Sequence, residues 1–216
     1  MNNENMKLWH SVFKTDPSAV KPIEGKTYKG NSPKPYWLIE QATKHFGACG
    51  IGWGVEVVNQ SYQQVSPDDW LHTATVRVWY IFDGKRGVIE QCGGTKASYK
   101  TSAGKIVVDD DAAKKSVTDG MTKCLSMIGF AGDIFSGRWD DNKYVELVRM
   151  EFEDEKRQEQ GFISKQQEYN LVALAQEVGA DLNKFCDFLG VKHLSKLPLS
   201  NYDKAIKSLE QKRKAA

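Results

Sequence analysis

Between Gly52 and Gly129 the hydrophobic period of the chain changes once, from two to about 3.6, and that change restricts the fold more than any other feature. Period two predicts a first strand over Gly52–Tyr62. After a Pro67-Asp68-Asp69 turn, a second runs over Leu71–Phe82, with Ala74, Val76, Val78, Tyr80 and Phe82 on one face. Asp83-Gly84 is a hairpin signal, and a third strand follows from about Gly87 to Lys96. Period 3.6 then takes over at about Asp110–Ile128. There Ala113, Val117, Gly120, Met121, Cys124, Leu125 and Ile128 form one apolar stripe, the Asp109-Asp110-Asp111 run suits the helix dipole, and Gly129 stops the helix.

A shorter helix is expected upstream, from about Lys34 to Phe46. Asn31 and Ser32 offer N-caps, Pro33 and Pro35 suit the first turn, and Gly47 is the stop. Leu38, Gln41, Ala42 and His45 share a face of it. The order is therefore helix, three antiparallel strands, long helix: an α+β domain with the long helix packed across the sheet.

Downstream the chain changes character. Arg149–Gln160 is dominated by charge and reads as a solvated linker or a helix extension. Ile163–Ala216 reads as a small all-helical module. Ser164 caps a helix through Leu171, Leu174 and Val178, a second helix covers Leu182–Leu189, and a third runs from Asn201 towards Lys214. The expected organisation is a core domain over 1–148, a charged linker over 149–162 and a helical module over 163–216.

Composition bounds function more loosely. The 216 residues carry a formal net charge of only +2, so any surface for a polyanion has to be local. Cys49, Cys92, Cys124 and Cys186 show no CxxC pair and no His at ligand spacing, so neither structural zinc nor a disulfide framework is expected, and buried free thiols in a reducing compartment are. The polar start Met1-Asn2-Asn3-Glu4-Asn5 lacks a signal-peptide core, and no apolar run approaches the roughly 20 residues of a membrane span. A cytoplasmic protein without membrane contact is expected.

Candidate chemistry is sparse. Gly47, Gly50, Gly52 and Gly54 fit no phosphate-loop pattern and follow a helix, which makes them a stop feeding a strand. Three consecutive carboxylates at Asp109–Asp111 rarely converge on a metal, and capping is the better account. His10, His45, His72 and His193 are dispersed. No catalytic constellation, metal site or cofactor site is visible, and no enzyme is expected. The basic residues say more. From Gly84 to Lys105 five cations (Lys85, Arg86, Lys96, Lys100, Lys105) face one acid, Glu90, with Tyr99, several hydroxyls and Gly93, Gly94 and Gly104 interspersed. Such a strip suits phosphates and a stacked base, or equally a solvated, mobile hairpin.

The stretch Lys114-Lys115-Ser116-Val117-Thr118-Asp119-Gly120-Met121-Thr122-Lys123-Cys124-Leu125-Ser126-Met127-Ile128-Gly129 resembles the long-helix motif of the Rad-fifty-two family of strand-annealing proteins. Asp141-Asn142-Lys143-Tyr144 resembles the D-x-x-Y that follows it there. Upstream, Phe46-Gly47, Gly50, Gly52 and Trp53 are similar to that family's helix end, and Val76-Arg77-Val78 through Asp83-Gly84 to Gly93-Gly94 are similar to its central hairpin. The likeness covers roughly Ile39 to Tyr144 and extends to the short, phage-encoded members.

It implies a β-β-β-α core, assembly into homo-oligomeric rings or filaments, and single-stranded DNA annealed in a basic groove without ATP. It implies work in recombination and repair, in the cytoplasm of a bacterial host. On the long helix the implied groove-floor cations fall at Thr122 and Lys123 and a further arginine at Ser126, so only Lys123 keeps its charge. A second DNA path falls near Lys100, and an N-terminal groove cation at Lys21 or Lys26. Lys96, Lys85 or Arg86 are the residues that compensate, with Tyr99 as the stacking ring. The helical module is implied to dock a partner exonuclease or a host single-strand-binding protein. The alternatives are a second DNA contact through Lys207, Lys212, Arg213 and Lys214, or solubility alone; a non-catalytic interaction scaffold is the competing account of the whole chain.

Overall fold

The computed structural model describes residues 4–24 and 29–215, and its contacts divide the chain into two units, Met1–Val145 and Glu146–Ala216. In the first unit, α1 (Lys7–Val12) precedes a two-stranded sheet of β1 (Val20–Pro22) and β2 (Asn31–Pro33). Then come α2 (Pro35–Phe46), β3 (Trp53–Gln64), β4 (Trp70–Phe82), β5 (Lys85–Lys100), β6 (Ile106–Val108), α3 (Ala112–Ser126) and the short α4 (Gly132–Phe135). Strands β3 to β6 form one antiparallel meander in chain order. The class is α+β as expected, but the sheet has four strands before the long helix rather than three.

The details follow local chemistry. Asp83 and Gly84 both take positive φ (49° and 73°), as a two-residue hairpin turn requires, and fix the register Phe82↔Lys85. Two bulges bend the sheet, one at Val57/Asn59 and one where Ala97 is inserted opposite Trp70/Leu71. Asn31 and Ser32 do not cap α2. They lie in β2, paired with Pro22 and Lys21, because Lys34 precedes Pro35 and is held extended (φ −69°, ψ 125°), so the helix starts only at the proline. Gly47, at φ 92°, closes α2.

The core lies between the inner face of the sheet and the helices: Ala74, Val76 and Val78 from β4, Leu38, Ala42 and Phe46 from α2, Met121, Cys124 and Leu125 from α3, and Phe130 beyond it. On α3 the first two turns bury Ala112 and Ser116, leaving Ala113 and Val117 half-buried, so the stripe starts one residue early there, while Gly120, Met121, Cys124 and Leu125 are buried as expected. Ser116 is tolerated because its hydroxyl donates to the carbonyls of His72 (3.0 Å) and Ala112 (3.0 Å). A second anchor is Asp133, fully buried, which accepts from the Thr15 amide (2.9 Å), the Thr15 hydroxyl (2.6 Å) and the Tyr144 hydroxyl (3.1 Å).

Helix α5 (Asn142–Glu159) covers most of the charged stretch, which is therefore helical. The second unit packs α6 (Lys165–Glu177), α7 (Leu182–Leu189) and α8 (Tyr202–Ala215) around Ile163, Leu171, Ala175, Phe185, Leu197, Ala205 and Leu209. Ser164 and Gln167 form a reciprocal capping box on α6, and Asp181 caps α7. Among the described residues no helix is long and apolar enough to cross a membrane.

Candidate nucleic-acid interface

Helix α3 is seated on β4 and β5 through two glycines. A Cβ on Gly93 would strike the Ser116 carbonyl oxygen, and one on Gly120 would lie 2.6 Å from Val76 Cγ2. At that close approach Asp119 Oδ2 accepts the Gly94 amide proton (3.1 Å) and the Lys123 ammonium (2.8 Å), while Lys123 also donates to the Cys92 carbonyl (3.1 Å). The V-T-D-G segment is thus explained by helix-to-sheet packing. The outward hydroxyls of Thr118, Thr122 and Ser126 bond carbonyls of their own helix. Lys123, the one charge kept at the implied groove floor, is half exposed and engaged on two sides.

The basic strip is divided by the strand that carries it. Lys85 and Arg86 sit at the tip of the β4–β5 hairpin, and Lys96, Tyr99 and Lys100 at the far end of β5. Ten residues of strand separate Arg86 from Lys96, about 33 Å at ~3.3 Å per residue. Between them, on the face away from α3, Arg77 bridges Glu90 (2.7 Å) and Glu56 (3.1 Å) across three adjacent strands. Both carboxylates hold the Arg77 guanidinium above its ordinary range, through hydrogen bonds first and charge second. This triad has a net charge of −1, so one continuous phosphate path along β5 is not formed.

The far end is the richer cluster. The Lys96 ammonium lies 5.5 Å from the Tyr99 ring centroid, and among the described residues no carboxylate pairs with it. Lys100 is half exposed and reaches Asp68 at 3.4 Å. The following turn closes through the amides of Lys105 and Gly104 on Thr101, with β6 pairing back on Ser98–Lys100. At the hairpin end, Arg86 lies 5.4 Å from the Trp79 ring, a pairing not anticipated from sequence. Its signal was available: Trp79 has the outward parity of β4 and stands opposite Gly54. Lys21 is exposed on β1, apart from these clusters in the chain and in a different sheet. Lys26 lies outside the described residues.

The remaining candidates resolve into structure. Asp109 pairs with Lys115 (2.6 Å) and Asp111 with Lys114 (2.9 Å), and the Lys115 hydrogen bond holds the Asp109 carboxyl below its ordinary range. Among the described residues no group of three His, Cys, Asp or Glu is arranged to hold a metal ion. Gly52 packs against the Phe46 carbonyl, where a Cβ would collide with it, so the glycine cluster is a compact turn. Tyr144 of the D-x-x-Y segment serves the Asp133 anchor. The thiols divide: Cys124 and Cys186 are buried, but Cys49 and Cys92 are exposed, contrary to the expectation of four buried thiols, because Cys49 lies just past the end of α2 and Cys92 points outward from β5.

A scan against protein-family models and a search of curated proteins each return no match for this chain.

Proposed function

We propose that this chain binds single-stranded DNA and promotes annealing of complementary strands without ATP, as a non-enzymatic, phage-type member of the Rad-fifty-two class. The observation that carries the reading is Lys96, an exposed cation with no carboxylate partner among the described residues, set over the Tyr99 ring beside Lys100. A cation and a ring on one strand end serve the two parts of a single strand at once: phosphate by counterion release and base by stacking. Pairing between strands supplies specificity; the protein makes and breaks no covalent bond. Homo-oligomeric rings or filaments would repeat the cluster along the strand. The second unit would dock an exonuclease or a single-strand-binding protein in the bacterial cytoplasm. A recess of about 540 Å³ beside Phe185, Phe188 and Leu209, with Lys184 and Lys212 in its lining, supports that part.

The test is annealing of two complementary oligonucleotides followed by fluorescence transfer, with and without ATP. The expected result is acceleration over the spontaneous rate, indifferent to ATP. No acceleration by folded, DNA-bound protein would falsify the annealing step.

A second reading, an interaction scaffold with weak DNA binding, is favoured by Lys100 and Lys123 being held in ion pairs and by hydroxyls at Thr122 and Ser126. Absence of single-strand affinity at about 50 mM salt decides for it.

A further inference from the structure

The two faces of the β4–β5 hairpin treat their aromatic side chains differently. Tyr80 and Phe82 face inward, with Tyr80 lying across Gly87, and both pack against the core. Trp79 faces the other way. Its indole lies on Gly54 of the neighbouring strand, where a Cβ would stand 2.7 Å from Nε1 and 2.8 Å from Cε2. The indole can occupy that position because the residue beneath it has no side chain. Neither Trp79 nor its same-face neighbours Ile81 and Val88 belongs to the core; Ile81 is 42% and Val88 51% exposed. Arg86, on the same face and without a carboxylate partner among the described residues, sets its guanidinium 5.4 Å from the indole centroid.

An indole laid against the backbone, with a guanidinium standing over its ring, has the chemistry of a base-stacking platform once the guanidinium turns to a phosphate and frees the ring. The geometry points to Trp79 as a stacking site for one nucleobase of single-stranded DNA, with Arg86 holding the adjacent phosphate. This inference rests on the proposed single-strand binding, and it adds a contact on the face of the sheet away from α3, with Arg86 about 33 Å along β5 from Lys96. The Glu56–Arg77–Glu90 triad lies next to Trp79 on that face, and its excess negative charge keeps the phosphate on the Arg86 side. The same apolar face could instead seat a second copy of the chain, but burying an Arg86 guanidinium that has no carboxylate partner among the described residues is costly in such a contact, whereas a phosphate compensates it.

The experiment uses the full chain and two labelled strands of equal length, oligo(dT) and an abasic phosphodiester, read by fluorescence anisotropy at fixed low salt. Trp79→Leu is expected to weaken oligo(dT) binding roughly ten-fold or more and to leave the abasic strand unchanged. Gly54→Ala, which raises a methyl into the indole position while keeping the tryptophan, is expected to give the same contrast. Arg86→Gln is expected to weaken both strands and lower the salt slope by about one unit. A circular dichroism melt confirms that each variant is folded. If a variant does not fold, quenching of 2-aminopurine placed in the strand, on binding to the wild-type protein, reads stacking directly. Its absence would overturn the platform.

Equal loss on both strands, or no loss on either, with Trp79→Leu overturns the platform while leaving single-strand binding intact. Wild-type protein that binds neither strand overturns the broader reading and the platform together. A variant that dissociates an oligomer without changing the ratio of the two affinities assigns this face to a second copy and overturns the platform.

Discussion

At the scale of single residues, charge and polarity in this chain are mostly committed to holding it together. Asp133 has no solvent and accepts from Thr15 and Tyr144, so it ties the N-terminal segment to the end of the first unit. Asp133→Ala is expected to cost about 3 kcal/mol, because the buried amide and hydroxyl of Thr15 lose their acceptor; urea unfolding measures it. Asp133→Asn, which keeps one acceptor oxygen, is expected to cost less. The same commitment separates the lysines. Lys96 is uncommitted, and Lys96→Ala is expected to lower single-strand affinity and to reduce the slope of log affinity against log salt by about one unit. Lys123 already answers Asp119 and the Cys92 carbonyl. Lys123→Ala is therefore expected to change that slope by clearly less, and anisotropy titrations at several salt concentrations compare the two.

At the scale of elements, what was legible is what has a period. Strands β3, β4 and β5 and helices α2 and α3 stand where alternation and the apolar stripe place them, and the Asp83-Gly84 turn fixes their pairing. What lacked a period was missed. β6 is three apolar residues running into three aspartates, too short to alternate, and it exists because the tail of β5 offers it a partner. β1 and β2 contain prolines and pair over only three residues. β5 continues past Lys96 to Lys100 through a bulge at Ala97 that period two cannot carry, and that continuation places Tyr99 and Lys100 in the sheet. Capping was legible where the chemistry was unambiguous. Ser164 with Gln167 forms a full capping box, so Ser164→Ala is expected to cost about 1 kcal/mol, seen as a lower melting midpoint of the second unit by circular dichroism. The candidate site was legible in residue type but not in arrangement, since no sequence pattern shows that one strand holds its cations at opposite ends with a Glu–Arg–Glu bridge between.

At the scale of the whole molecule, stability couples to pH through a half-buried group on α2. Burial first, and the neighbouring Lys44 second, push the His45 imidazole below its ordinary value of 6.5. The unfolded chain therefore takes up this proton more readily than the folded one, so stability is present above pH 6.5 and declines as pH falls below it. Urea midpoints measured from pH 7 downward are expected to drop, and His45→Gln is expected to remove part of that drop. A His45→Gln profile identical to that of the wild type would assign the loss to other groups.

The paired glycines Gly93 and Gly120 have one more consequence, for how such a chain changes over generations. They bring the helix so close to the sheet that its orientation is set by the backbone approach and by the bonds of Ser116, Asp119 and Lys123 to the strands. The outer hydroxyls at Thr122 and Ser126 carry none of that load, since they bond only their own helix. Heredity can therefore rewrite the outside of α3 without renegotiating its seat, gaining or shedding affinity for a polyanion by single codons. Thr122→Lys and Ser126→Arg are two such steps.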